Sequence, residues 1–339
     1  MRISNIMIND SVRGSMYDNR NNYLEKQLQI STGRKNLNRS DNPTDTSLEA
    51  RVEQYKKKNE QWVRNINDAY DFTQFTDSKV GQIKDTLQRV NELVVGVNNG
   101  TQPPGYRKDV ALEIDKAIEA LVQYANSDAA GIYLFGGTGT AQNPFTPVRD
   151  PVTNEITSVT YNGSTTQRSI QTGESMAIDR SYYGIIGQNP ADETGLFVYN
   201  DLRAMPPADH PTWTPPANTR RQPMDIFQNL IEIRDDLQNG DIPQDVNNAG
   251  VCHTPLADLQ YNLDHVIDKY VETGAQAKQF KSMATDMGNM ELVYKSQISE
   301  LGDTDVALAA TELAQLQASY QASLQIAVKV NSMSLMDYI

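Results

Sequence analysis

One cysteine, three histidines and two tryptophans are all that 339 residues hold of these types. The lone Cys252 excludes an intrachain disulfide. That suits a reducing compartment, and equally a chain threaded unfolded through a narrow channel. Basic side chains are in deficit, 30 against 43 acidic, for a net charge of −13. Such a balance lacks the basic footprint that nucleic-acid binding requires. No run of 18 apolar residues occurs, so no membrane insertion is expected. The segment Met1-Arg-Ile-Ser-Asn-Ile-Met-Ile-Asn-Asp10 has neither the apolar core nor the small-residue cleavage site of a secretory signal. The expectation is a cytoplasmic protein or one exported without a cleaved signal. Hydrophobic residues make up only 38%, which fits an elongated helical protein with much surface per core residue.

Two long heptad patterns stand out against these shortages. The first steps through Leu48, Val52, Tyr55, Asn59, Trp62, Ile66, Ala69, Thr73, Thr76, Val80, Ile83, Leu87, Val90, Val94 and Val97. The second runs Leu256, Leu259, Leu263, Val266, Tyr270, Thr273, Ala277, Phe280, Ala284, Met287, Glu291, Tyr294, Ile298 and Leu301. A sustained 3.5-residue period makes a narrow apolar seam that needs a partner helix, and the two stripes are of similar length. They predict a mainly α fold: an antiparallel coiled-coil rod built from both ends of the chain, with a β-rich insertion between.

Punctuation along the chain sets the borders. Ser40-Asp-Asn-Pro-Thr-Asp45 is a turn with capping residues that opens the first long helix. Asn98 to Gly105 stops it, and Val110, Ile114, Ala117, Leu121 and Ala125 mark a shorter helix folding back. Glu155–Tyr161 reads as a strand, Asn162-Gly163 as a hairpin turn and Gln167–Gln171 as the return strand. Met176–Ile178, Tyr182–Ile186 and Leu196–Tyr199 are further strand candidates. Residues 203–223 hold six prolines and read as a linker. Pro223 opens a helix with Ile226, Leu230, Ile233 and Leu237 inward, closed by Gly240. The expected organisation is 1–45 with 303–339 as a terminal assembly layer, 46–137 with 223–302 as the coiled-coil rod, and 138–222 as an outward β-rich domain.

Catalytic chemistry finds no foothold. Cys252, His253 and His265 lack the second ligand pair of a metal site. Gly136-Gly-Thr-Gly-Thr140 lacks the Lys-Ser/Thr of a phosphate loop. Asp235 and Asp236 are adjacent on a helix and point apart. No enzyme, cofactor or metal is expected. A binding or hydrolytic activity in 138–222 is the alternative of a different class.

The functional constellation is at the two ends. Val12, Met16, Tyr23 and Ile30 form a weak stripe interrupted by Asn19 and Lys26. Val306, Leu313, Leu316, Tyr320, Leu324, Ala327, Val330 and Leu335 belong to a terminal helical run with few charges. Helices with poor partners are marginal in water. These stripes are therefore expected to pack between subunits, as an assembly interface.

Several short motifs share one order with a known family. Met1-Arg-Ile-Ser4, Gln29-Ile-Ser-Thr-Gly-Arg-Lys35, Arg39-Ser-Asp-Asn-Pro43 and Gly131-Ile-Tyr-Leu-Phe-Gly136 come first. Asp303-Thr-Asp-Val-Ala307, Thr311-Glu-Leu313, Tyr320-Gln-Ala-Ser-Leu324 and Leu335-Met-Asp-Tyr-Ile339 follow. The chain resembles the bacterial flagellin family over roughly 1–137 and 255–339. Gln29–Gly33 and Ser40–Thr44 are more similar to its hook-associated branch than to filament flagellin, which is the nearest rival. The resemblance implies a structural adaptor joining hook to filament, located outside the cell after type III export. It further implies ends that become helical on assembly. Its implied partners are copies of itself in a ring, neighbouring hook-associated and flagellin subunits, and a cytoplasmic export chaperone at the carboxy-terminal region.

Overall fold

Six helices carry most of the chain in the computed structural model, which describes residues 5–98, 104–139, 142–164, 169–171, 177–179, 195–200, 223–241, 243 and 255–336. Tyr182–Ile186, most of the proline-rich 203–223, and His210, Cys252 and His253 lie outside these residues. The chain packs as two units, Met1–Gln61 with Met287–Ile339, and Trp62–Asp286.

The first unit is helical among its described residues apart from the connectors 33–42 and 303–305. It contains α1 (Asn5–Thr32), the beginning of α2 (Pro43–Asn98), the end of α5 (Pro255–Gly302) and α6 (Val306–Met336). Here α2 and α5 run antiparallel: Glu49 lies beside Gly302, and farther along α2 the Asn59 side-chain amide donates to the Met287 carbonyl at 2.8 Å. That bond explains a polar residue on the seam, since a buried amide must find a partner. Leu48 and Tyr55 are the two seam positions of α2 that stay exposed.

The second unit holds the large core. Its α2 and α5 segments are again antiparallel neighbours, with Asp77 beside Gly274 and the Tyr270 ring against Gly81 and under the Lys84 ammonium. The predicted seam positions Ile66, Ala69, Val80, Ile83, Leu87, Val90, Val94 and Val97 are buried, as are Leu259, Val266 and Phe280. Thr73, Thr76 and Thr273 return their hydroxyls to the carbonyls four residues back, at 2.7–2.9 Å, so the polar breaks in the stripes leave no orphaned group. Helix α3 (Pro104–Ala125) packs on α4 (Ile226–Asn239). Asp225 caps α4, accepting from Phe227 and Gln228, and Gly240 ends it at φ 87°. The helix thus starts at Ile226, three residues after Pro223, because Pro223–Asp225 pairs as strand β8 with β7 (Val198–Asn200).

The described strands form four two-stranded ladders. β1 (Asp128–Ala129) and β2 (Ile132–Tyr133) join through Ala130 and Gly131, both at positive φ, as a tight hairpin demands. β4 (Ile156–Tyr161) pairs with the preceding β3 (Phe145–Arg149), and β5 (Ser169–Gln171) pairs with β6 (Ala177–Asp179). The expected hairpin of β4 with Gln167–Gln171 across Asn162-Gly163 is therefore not formed. Neither Asn162 nor Gly163 takes the positive φ of that turn type. Asn162 instead bonds back to the Pro144 carbonyl and the Thr146 hydroxyl. Gly163 crosses close above the Tyr161 ring, where any Cβ would collide with it. The actual β3–β4 turn is built by Asp150, which accepts from the Val152 and Thr153 amides, and by Asn154 at φ 62°.

Phe135, Phe145, Phe197 and Phe227 form one aromatic cluster in this unit, with centroids 4.9–5.6 Å apart. Arg234 is the largest fully buried side chain beside it; its guanidinium reaches Asp115, Asp235 and the Ile156 carbonyl at 2.7–2.9 Å.

The candidate assembly surface of the terminal helices

The weak amino-terminal stripe becomes one face of α1. Val12, Met16, Asn19, Tyr23, Lys26 and Ile30 are all half-buried, at alternating steps of four and three residues. Opposite them on α6 stand Leu313, Leu316, Tyr320 and Ala327, also half-buried, with Ala309 and Ser323 buried. The helices are antiparallel within the first unit: Tyr23 stacks on Tyr320, with centroids 6.5 Å apart, and Lys26 reaches Glu312 at 2.7 Å. Lys26, an interruption in the sequence pattern, thus lays its stem along the seam and its charge on a partner. Val306 and Leu324 lie off this seam and are exposed, and the side chains of Val330 and Leu335 lie outside the described residues.

A backbone clasp closes the helix pair at one end. The α1–α2 connector and the α5–α6 connector meet as a short antiparallel bridge between Arg34 and Asp303. Lys35 donates its amide to the Gly302 carbonyl at 2.8 Å, and Thr304 donates to Gly33 at 2.9 Å. Gln29 is buried because its amide donates to the Lys35 carbonyl at 3.0 Å, folding the end of α1 onto the connector. Asp305 then starts α6 by accepting from Ala307 and Leu308. Two motifs 268 residues apart by their clasp positions Lys35 and Asp303, Gln29–Lys35 and Asp303–Ala307, are therefore one structural object.

What the pairing leaves uncovered is as informative. Tyr17, Leu24 and Leu28, spaced by seven and four residues, line a second face of α1 at 41–53% exposure. On α6, Leu308, Ile326 and Val328 are exposed by 52–71%. These residues escape a reading that follows a single seam per helix; the spacing of Tyr17, Leu24 and Leu28 is the signal that marks them. Charge is sparse here. Between Val306 and Val328, α6 carries only Glu312, which Lys26 engages. On the α5 part of this unit, Lys295 bonds Glu291 at 2.6 Å; that bond holds the carboxylate below its ordinary range and the ammonium above its own. Among the described residues no three His, Cys, Asp or Glu converge as a metal site requires, and no helix is long and apolar enough to cross a membrane. The chemistry this surface offers is apolar helix-to-helix association.

Comparison with known proteins follows the same lines. Residues 3–140 match the bacterial flagellin N-terminal helical region. Flagellar hook-associated protein 3 of Salmonella typhimurium is 23% identical over 339 residues, covering 99% of this chain and 98% of that protein. The protein of the same name from Escherichia coli is 23% identical over 340 residues, with the same coverage. Among solved structures, the flagellar junction protein FlgL of Legionella pneumophila shares the fold at a TM-score of 0.53 and 14% identity, over 76% of this chain and 100% of that one. FlgL of Bacillus cereus does so at 0.51 and 17%, over 73% and 98%. Residues 3–140 thus match the bacterial flagellin N-terminal helical region, on a chain that is similar along nearly its whole length to flagellar hook-associated protein 3.

Proposed function

We propose that this chain is a structural adaptor of the bacterial flagellum, a non-catalytic subunit that joins hook to filament. The observation that carries the reading is the uncovered apolar face of the clasped α1–α6 pair, Tyr17, Leu24 and Leu28 above all. An isolated monomer gains nothing from holding three large apolar side chains in water along one helix, whereas a neighbouring subunit would cover them. Assembly joins copies of this chain to one another and to adjacent hook-associated and flagellin subunits. The terminal layer, 1–45 with 303–339, supplies the joint, including Val306, Leu324, Val330 and Leu335. The residues of the α1–α6 seam (Val12, Met16, Tyr23, Ile30, Leu313, Leu316, Tyr320 and Ala327) shape it.

The chain reaches its place by type III export without a cleaved signal, after a cytoplasmic stage in which a chaperone holds the carboxy-terminal region. Thin terminal packing supports this, since among the described residues of α1 and α6 only Gln29, Ala309 and Ser323 are buried. Such helices open at little cost and refold on docking.

Cells lacking this protein test the reading. Hooks without filaments, together with flagellin shed into the medium, are the expected result by electron microscopy and immunoblotting. Normal filaments on such cells would sink it. A Leu24→Asp protein should melt as the native one does and fail to be retained on flagella.

A further inference from the structure

Glu49 stands where the two connectors meet the long helices of the first unit. It lies on α2, yet its carboxylate reaches both halves of the clasp. On one side it pairs with the Arg34 guanidinium at 3.6 Å. On the other it rests on Gly302, the last residue of α5, where a Cβ would stand 2.8 Å from the Glu49 Oε1. Gly302 is buried and its φ is not left-handed, so the glycine serves close approach rather than backbone freedom. Arg34 is itself the bridge residue opposite Asp303, and the Gly302 carbonyl accepts from Lys35. One side chain of α2 therefore touches both connector regions.

This seat is poor without the guanidinium. The Glu49 side chain is 13% exposed, and among the described residues Arg34 is its one ionic or hydrogen-bonding partner. The last carbonyls of α5 carry partial negative charge, which repels a carboxylate. A largely desolvated carboxylate left beside them with no cation is unfavourable. Arg34 offsets both costs, and it does so from the α1–α2 connector, with its own side chain 60% exposed. The compensating charge thus belongs to the segment that moves when α1 opens.

We infer that Glu49 is a coupling residue, which makes closure of the clasp and closure of the α2–α5 pair beside it conditional on each other. When α1 lifts away it takes Arg34 with it. Glu49 then pushes against the end of α5 and loosens the point from which α6 starts. The two terminal helices therefore open and close together rather than one at a time. This device works within a single copy of the chain and does not depend on the flagellar reading.

Amide hydrogen exchange of the purified full-length protein, read by mass spectrometry, tests the coupling, with α3 as the internal reference. Arg34→Ala should speed exchange over 296–302 about two- to fivefold, the range for a partly exposed ion pair, although residue 34 is not in that helix. Adding Glu49→Gln should return this segment to the native rate, because a neutral amide is not repelled. Gly302→Ala drives the carboxylate from its seat and should speed exchange in both α1 and α6. Adding Glu49→Ala clears the obstruction and should slow it again. Native exchange over 296–302 in Arg34→Ala would overturn the inference. So would double variants that exchange as fast as the single ones, since Arg34 and Gly302 would then act independently of Glu49. Retention on flagella is not the readout, so failure here leaves the proposed function standing, and normal filaments on cells lacking the protein would leave the coupling standing.

Discussion

Thr304 donates its backbone N–H to the carbonyl of Gly33 at 2.9 Å, joining two connectors separated by 271 positions of chain. Gly33 holds φ at +70°, in the left-handed region that L side chains populate only at a cost. A Gly33→Val substitution should therefore destabilise the first unit by about 1–2 kcal/mol. Thermal unfolding followed on the terminal helices measures this. An unchanged midpoint would mean that the clasp tolerates another connector geometry.

Arg234 offers a larger effect in the second unit. Its side chain is 2% exposed and bonds Asp115 and the Ile156 carbonyl, tying strand β4 to helices α3 and α4. Removing one partner of a buried ion pair leaves the other charge uncompensated, at a cost of about 3–5 kcal/mol. Arg234→Ala should lower stability by that order in denaturant titration and speed amide exchange in Ile156–Tyr161. A loss below about 1 kcal/mol would show that water replaces the guanidinium at little cost.

His265 should make the second unit sensitive to acid. Its Nε2 lies 2.8 Å from the Gly195 carbonyl, and burial is the chief cause that lowers its pKa from 6.5 to about 4. Lys269 lowers it further, while the Gly195 bond, Asp268 and Glu272 raise it. The folded state therefore resists protonation while the unfolded chain accepts it. Stability is unaffected above pH 6.5, falls as pH drops toward 4, and levels off below, with a total loss of about 3 kcal/mol. Comparing unfolding midpoints of native protein and His265→Gln across pH 7 to 4 isolates the contribution. Parallel curves would exclude it.

Limited proteolysis should read out the thin terminal packing. In the soluble monomer, cleavage is expected before about residue 45 and after about residue 305, sparing the coiled-coil rod of 46–137 and 223–302. Mass spectrometry of early fragments identifies the sites. Tails as resistant as the long helices would contradict the proposal that the ends fold on docking.

Several of these features are plain in the sequence, and their limits have physical causes. The seams of α2 and α5 follow from heptad spacing, since a 3.5-residue period fixes which side of a helix must find cover. The α1 stripe is legible in part: Asn19 and Lys26 read as interruptions yet sit half-buried on the seam, where the long Lys26 stem packs with its charge on Glu312. The partner of β4 is not legible. Asn162-Gly163 carries strong local turn chemistry, yet the Tyr161 hydroxyl bonds the Phe135 and Ser164 carbonyls and redirects the chain. Arg234 reads as one charged residue on an amphipathic helix; only folding brings Asp115 and Ile156, 119 and 78 positions away, to its guanidinium.

By itself, then, the sequence determined that this is a helical protein with a β-rich middle and weakly apolar ends, because periodicity and turn chemistry are local properties of the chain. Tertiary structure alone decided that Gly33 and Thr304 meet and that Tyr17, Leu24 and Leu28 stay uncovered. It also decided that Glu49 lies between Arg34 and Gly302. Each of these depends on which distant segment comes alongside, and a heptad pattern specifies that a partner is needed without specifying which one.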